Sequence, residues 1–383
     1  MKHVPVAAVC RHGIVWSLCW LAVCLLLPAC GGSQTAASAG AEGLASRDLP
    51  QAEAGATPTP QAWAAPTPAH VPAPAQTAIL APVWRPLAQR LAADGLSGPG
   101  VDALLATLPA KPTQSPMGRK MRELYMRKFF PKPPSRKSRT PYYKGVVTEA
   151  NAATCRRFVA ENRQAFTLAE ARYGVPSSVA VALLFVETRL GTVLGDVPEN
   201  AFYTLASMAV SRQPEDIADW LPRLPGHEQH ADWFAEVMPK RADWAYKETR
   251  ALVEHMLRDN VPPEHLPGSI YGAVGLCQFM PSNIAVYGAD GNGDGRVDLF
   301  EIPDAVASLA NYLARHGWKP GLPRERQHKL LMTYNHAAIY ANTILALADV
   351  VDGRPVPSDA AGAAKPAKKP AGKSAGKKAR GAQ

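Results

Sequence analysis

Residues 174–191 read GVPSSVAVALLFVETRLG, and their reading decides the fold. Pro176 suits a first helical turn, Ser177 and Ser178 suit the capping of free N–H groups, and Gly191 suits a C-terminal stop. From Val179 to Val186 every residue is apolar, with no polar stripe. A helix of that kind is covered on all sides, so the chain must wrap other elements around it. Into this setting the sequence places Glu187. A carboxyl removed from water, near the negative end of a helix dipole, has its pKa raised and can serve as a general acid. The competing reading is an ion pair with Arg189 at the helix end. From this stretch alone the two readings stand level.

Outward from that helix, the periodicity is helical. Trp84, Leu87, Leu91, Val101, Leu104 and Leu105 have helical spacing. So do Cys155, Phe158, Val159, Asn162, Phe166, Ala169 and Tyr173, one face of a helix capped by Thr148 and closed by Gly174. Leu205 to Val210 reads as a short buried piece, and Pro214 to Val237 as an extra helical segment or lid. Ala242 to Leu257 reads as a helix with Leu252, Val253, Met256 and Leu257 inward. Residues 129–143, FFPKPPSRKSRTPYY, read as a basic, proline-rich surface excursion. Strand signals are few. The expected class is an α-dominated α+β fold with a small β part.

The 383 residues are 47% hydrophobic, enough for a substantial core. Much of the +10 net charge lies in Lys365, Lys368, Lys369, Lys373, Lys377, Lys378 and Arg380, which leaves the folded part near balance and argues against a nucleic-acid partner. Lys2, Arg11 and the apolar run Ile14 to Leu27 form an export leader. The leader ends at Leu27-Pro28-Ala29-Cys30-Gly31-Gly32, which resembles a lipoprotein box with Cys30 as the lipidated residue. The alternative is ordinary cleavage to a soluble periplasmic protein. Residues 1–29 are thus a signal peptide and 30–80 an Ala/Pro-rich tether. A folded region is expected over 81–352 and a basic tail over 353–383. Only Cys155 and Cys277 remain in the body, and two separated cysteines do not establish a disulfide. His227-Glu228-Gln229-His230 falls one residue short of HExxH and reads as surface.

Two further stretches carry chemistry. GSIYGAVGLCQFMPS, 268–282, mixes glycines with apolar residues and suits a loop lining a groove, with Ser269 and Gln278 as its polar contacts. Residues 290–301, DGNGDGRVDLFE, fit an EF-hand calcium loop. Asp290, Asn292 and Asp294 take positions 1, 3 and 5, Gly295 the sharp turn, and Arg296 offers a backbone carbonyl. Asp298 stands at 9 and Glu301 at 12. One such loop without a pair predicts a single structural calcium rather than a switch.

VETRLG, the 268–282 loop, the calcium loop, ANYLARHGW (310–318) and TYNHAAIY (333–340) occur in an order that resembles the membrane-bound lytic transglycosylase B family. The resemblance implies a lysozyme-like catalytic core with an extra helical domain. It also implies cleavage of the β-1,4 MurNAc–GlcNAc bond of peptidoglycan to a 1,6-anhydro-MurNAc end. Glu187 is then the acid/base, Ser269 the residue that holds it, and Gln278 a contact to the sugar chain. Tyr334, Asn335 and Tyr340 match the segment facing the same groove. The family commonly has Ser-Phe-Ala-Gly-Ala-Met-Gly where this chain has Ser269 to Gly275, so bulkier Tyr271 is expected to alter a subsite. Residues 211–240 read as an insertion that narrows or gates the groove.

Asp196 and Glu199 follow Glu187 closely, but neither has a comparable apolar setting, so a single-carboxylate mechanism is expected. The expected protein is a monomer on the periplasmic face of the outer membrane, bound to glycan strands. A lysozyme-type hydrolase and a non-catalytic peptidoglycan-binding lipoprotein are the alternatives.

Overall fold

A computed structural model describes residues 80–131 and 141–361. The helices α1 (Arg85–Ala93), α2 (Pro99–Ala106) and α3 (Ser115–Phe129) come first. They are followed by α4 (Glu149–Glu161), α5 (Arg163–Tyr173), α6 (Ser177–Thr188) and α7 (Ala201–Val210). Then come α8 (Ala231–Asp259), α9 (Pro281–Tyr287), α10 (Ile302–Arg315), α11 (Arg324–Tyr334), α12 (Ala338–Val351) and the short α13 (Ser358–Ala361). The apolar helix is α6. It packs against α4, α5, α10 and α12, and Val179 to Phe185 are all buried. An unbroken apolar run has no face to offer water, so the surrounding helices must supply its cover.

Its N-terminus is built differently from the expectation. Pro176 precedes the helix, at φ −57° and ψ 139°. The Ser177 N–H and hydroxyl both donate to Glu170 Oε2, at 3.0 and 2.6 Å. A carboxylate from α5 therefore caps α6, favoured by the helix dipole. The Ser178 hydroxyl turns away to Asp352, at 3.1 Å.

The single helix expected from Thr148 to Tyr173 is two. Thr148 caps α4, accepting from the Asn151 N–H at 3.2 Å. At Asn162 the backbone leaves helical geometry (φ −114°, ψ 31°), while its side chain donates to the Phe158 carbonyl at 2.9 Å. A short amide that satisfies the local backbone competes with the helix ladder, and the chain breaks there. Conversely, α8 is longer than expected and runs through Pro239. Its packing against α7 and α9, with Phe234, Met238, Ala242 and Ala245 buried, outweighs the one backbone bond that proline removes. Leu257, expected inward, is 40% exposed. The 211–240 segment enters α8 through 3-10 turns at Pro214–Ile217, Leu221–Arg223 and His227–His230. The Trp220 indole lies so close to α3 at Gly118 that a Cβ there would come within 2.3 Å of it.

The small β part reduces to isolated bridges, Asn200 with Pro267, Gly268 with Val274 and Val274 with Phe279; no strand forms among the described residues. The glycine-rich loop pairs with itself one residue at a time, because glycines weaken a continuous ladder. Cys155 and Cys277 are buried and free. The leader, Cys30, the tether and the basic tail beyond Ala361 lie outside the described residues.

Candidate active site

Glu187 is the penultimate residue of α6 and is partly buried. The Tyr340 hydroxyl, on α12, donates to Glu187 Oε1. Burial pushes the Glu187 carboxyl up from 4.5 to about 7, against the opposing pull of that hydrogen bond. Tyr340 is 1% exposed, and burial together with the nearby Glu187 charge holds its pKa well above the usual phenol range. It therefore remains an O–H donor at any working pH. Arg189, the alternative ion partner, places its guanidinium 4.5 Å from the centre of the Phe185 ring.

The glycine loop approaches this carboxyl at Cys277, near enough for the Glu187 charge to add to the burial that raises the thiol's pKa. Gly272 sits over Leu205 and Gly275 over Leu299, each too close for a Cβ and each with positive φ. Tyr334, at the end of α11, donates its hydroxyl to the Cys277 carbonyl. Its ring stacks with that of Tyr340 at 6.4 Å between centroids. Gln278 is a non-glycine residue at φ 51°, and its Nε2 donates to the carbonyls of Leu194 (3.1 Å) and Gly275 (2.9 Å). Backbone in this region costs a few kcal/mol at most and persists where its surroundings fix it. The Asn335 Oδ1 is buried with no hydrogen-bond partner among the described residues. Tyr271 is partly buried, with Lys120 Nζ 4.3 Å from its ring centre.

Ser269 departs from its expected task. Its hydroxyl oxygen accepts the Ala273 N–H at 3.1 Å, and its backbone N–H reaches the Ala273 carbonyl at 2.9 Å. It stabilises the loop's own turn, and the hydrogen bond to Glu187 comes from Tyr340 instead. Glu187, Cys277 and the two tyrosines thus converge, while the Ser269 hydroxyl is engaged within its own loop.

Among the described residues, no second carboxylate hydrogen-bonds to Tyr340 or Tyr334. Asp196 is exposed and accepts the Ile270 N–H at 2.6 Å, which ties the glycine loop down. His227 and His230 hold no metal-like pairing: the His230 ring stacks on Phe129 at 3.9 Å.

The 290–301 loop folds as a tight turn, with Gly293 and Gly295 at positive φ. Its carboxylates cap its own amides. Asp290 accepts from Gly293 and Gly295, Asp294 from Arg296, and Asp298 from Phe300. The Asn292 amide nitrogen stands 2.7 Å from Glu301 Oε2 and 3.3 Å from Asp294 Oδ2. Among the described residues, no group of three His, Cys, Asp or Glu side chains is arranged to hold a metal. The donors are nonetheless hard oxygens apart from that amide, whose two ends exchange by a half-turn, so the residue types fit calcium. Sequence reasoning missed Asp304. It is 1% exposed and accepts the N–H groups of Gly291 (2.8 Å) and Asp298 (2.7 Å), clamping the loop from the first turn of α10. Its place just after Pro303 was the available signal, since acidic residues favour helix starts.

Comparison with known proteins fits this arrangement. The family described as "Transglycosylase SLT domain" matches residues 80–330. Membrane-bound lytic murein transglycosylase B of Escherichia coli (strain K12) is 30% identical over 180 residues, which cover 47% of this chain and 42% of that protein. The chain thus spans less than half the length of that curated relative. Among solved structures, SltB3 from Pseudomonas aeruginosa in complex with NAG-NAM-pentapeptide aligns with TM-score 0.53 and 19% identity, covering 71% of this chain and 79% of its own. The Escherichia coli lytic transglycosylase SLT35 in complex with calcium aligns with TM-score 0.51 and 21% identity, covering 71% and 93%. These likenesses establish a shared fold.

Proposed function

The chain belongs to the transglycosylase SLT domain family, and from that premise we propose that it is a lytic transglycosylase of peptidoglycan using Glu187 as its only acid/base. The observation that carries the reading is one carboxyl, raised to about 7 by burial, facing a phenol donor to which no second carboxylate is hydrogen-bonded among the described residues. Tyr340 occupies Oε1, so the proton available for catalysis sits on Oε2. That proton passes to the oxygen of the leaving GlcNAc as the C1–O4 bond breaks, and the substrate's acetamido group stabilises the cation. Glu187, now ionised, takes the proton of the C6 hydroxyl as O6 bonds to C1. The proton count closes without water. A raised pKa suits both halves, because the group must be protonated at the start and basic afterwards.

Gln278, Tyr334, Asn335 and Tyr340 are proposed to line the glycan groove, with Ser269 fixing the loop that carries Gln278. The 211–240 segment, packed on α3 and α8, is proposed to shape one end of that groove. Mass analysis of digested sacculi tests the reading: products one water lighter than hydrolysis products are expected. Ordinary reducing ends would instead make the protein a lysozyme-type hydrolase, and binding without cleavage a non-catalytic module.

We further propose a structural calcium held by Asp290, Asn292, Asp294, the Arg296 carbonyl, Asp298 and Glu301. The charge of a bound divalent ion would offset the crowding of carboxylates in this loop. Calcium is expected to raise the melting temperature measured by calorimetry, and Asp290→Ala to abolish the rise. A wild-type melting temperature indifferent to calcium and to chelator removes the site. Cys30 is proposed as a lipid anchor, on the sequence of its box. Among the described residues no helix is long and apolar enough to cross a membrane. Cys30→Ala is expected to move the protein from the membrane to the soluble fraction on ultracentrifugation.

A further inference from the structure

We propose that Thr188 is a positioning residue: its hydroxyl locks the turn that follows Glu187 to the glycine loop and so fixes where the Glu187 carboxyl points. The inference rests on the catalytic reading of Glu187, and its starting point is a buried hydroxyl that the mechanism leaves unused. Thr188 is 0% exposed and ends α6. Its Oγ1 donates to the Leu276 carbonyl at 2.9 Å and accepts the Gly191 N–H at 3.1 Å. The Thr188 carbonyl in turn accepts the Val193 N–H at 2.9 Å.

The turn so held is an unusual one. Arg189 (φ 53°), Leu190 (φ 60°) and Gly191 (φ 87°) stand in the left-handed region in succession. Two of the three carry side chains that disfavour it, so the conformation needs outside support. The contacts of Thr188 supply that support at both ends of the turn. They also reach further. Leu276 donates its own N–H to the Leu299 carbonyl of the 290–301 loop at 2.8 Å, and neighbouring Cys277 accepts the Tyr334 hydroxyl. One threonine hydroxyl thus joins the glutamate's helix to the loop that carries Gln278 and meets Tyr334. Without it, the last turn of α6 is free to rotate Glu187 away from Tyr340 and into water.

The test compares Thr188→Val, which keeps the shape and removes the hydroxyl, with Thr188→Ser, which keeps the hydroxyl. Cleavage of soluble glycan strands is followed across pH, with the melting temperature of each protein recorded. For the valine variant kcat should fall by about 10- to 100-fold with KM changed by about twofold or less, the scale of a misplaced catalytic group. Its kcat/KM should also lose activity on the alkaline side at lower pH than wild type, because a carboxyl returned to water regains an ordinary pKa. Serine should restore both. Wild-type kcat in the valine variant, a fall in kcat with an unmoved pH profile, or failure of serine to restore the profile each overturns the proposal. If the valine variant does not fold, Thr188→Ala replaces it, and failure of both to fold assigns Thr188 to stability alone and overturns it as well. Retained activity in Glu187→Gln, by contrast, would sink the reading of Glu187 itself.

Discussion

Glu187→Gln is expected to lower the rate of anhydro-product release by about 10³-fold or more, with glycan binding retained. General acid–base assistance is typically worth about 10²–10⁴ in rate, and here one group supplies both proton transfers. Gln has nearly the same shape and its Oε1 can still accept from Tyr340, so the groove keeps its form. Affinity for glycan strands, read by sedimentation with sacculi, should change little. Stability should move the other way. The wild-type carboxyl has a folded pKa near 7 against 4.5 for the free group. Between those values the native state holds a proton at Glu187 that the unfolded chain has released, so the contribution of Glu187 to wild-type stability falls as pH rises through this window. Gln has no such dependence. The variant's melting temperature should thus gain on the wild type from pH 4.5 to 7 and hold its advantage above. Rapid cleavage by the variant, or a difference in melting temperature between variant and wild type that does not grow through that window, would contradict the assignment.

This helix was legible in the sequence because every residue from Val179 to Val186 asks for the same thing, cover from water. The tight turn at 290–301 was legible for the opposite reason, since it needs particular residue types at fixed places and little from the rest of the fold. The failures lie where tertiary contacts decide. Nothing local announces that Glu170 rather than Ser177 caps α6, or that packing carries α8 through Pro239. Ser269 and Tyr340 are the instructive pair. Resemblance placed both near Glu187, but which hydroxyl reaches it depends on how α12 crosses the end of α6. That crossing is set by the helices' buried faces, whose period identifies a core but not an orientation. Thr188 was invisible for a related reason: a threonine at a helix end has many ordinary uses. Its partner Leu276 lies far along the chain.

The tyrosine contact yields the second large effect. Tyr340→Phe is expected to lower kcat by about 10²- to 10³-fold, on the scale measured when a single donor to a reacting charge is removed, and to extend activity toward alkaline pH. The sign follows from what the phenol does. Its O–H stabilises the ionised form of Glu187, opposing the effect of burial. Deleting it leaves burial unopposed, so the carboxyl holds its proton to higher pH. The acid form then persists further into the alkaline range, and the fall of kcat/KM there should begin later than in wild type. The rate nevertheless drops, because the carboxylate formed when the glycosidic bond breaks loses its only hydrogen-bond donor among the described residues. Phe keeps the ring, and with it the stacking against Tyr334 and the burial inside the helix bundle, so the change is confined to one oxygen. A kinetic profile across pH 5 to 9 measures both effects. The direction separates two ways of losing activity: Tyr340→Phe moves the alkaline limb up, whereas Thr188→Val moves it down. If Tyr340→Phe moved the limb down, burial would not be the force that raises Glu187, and water rather than protein would be its main neighbour.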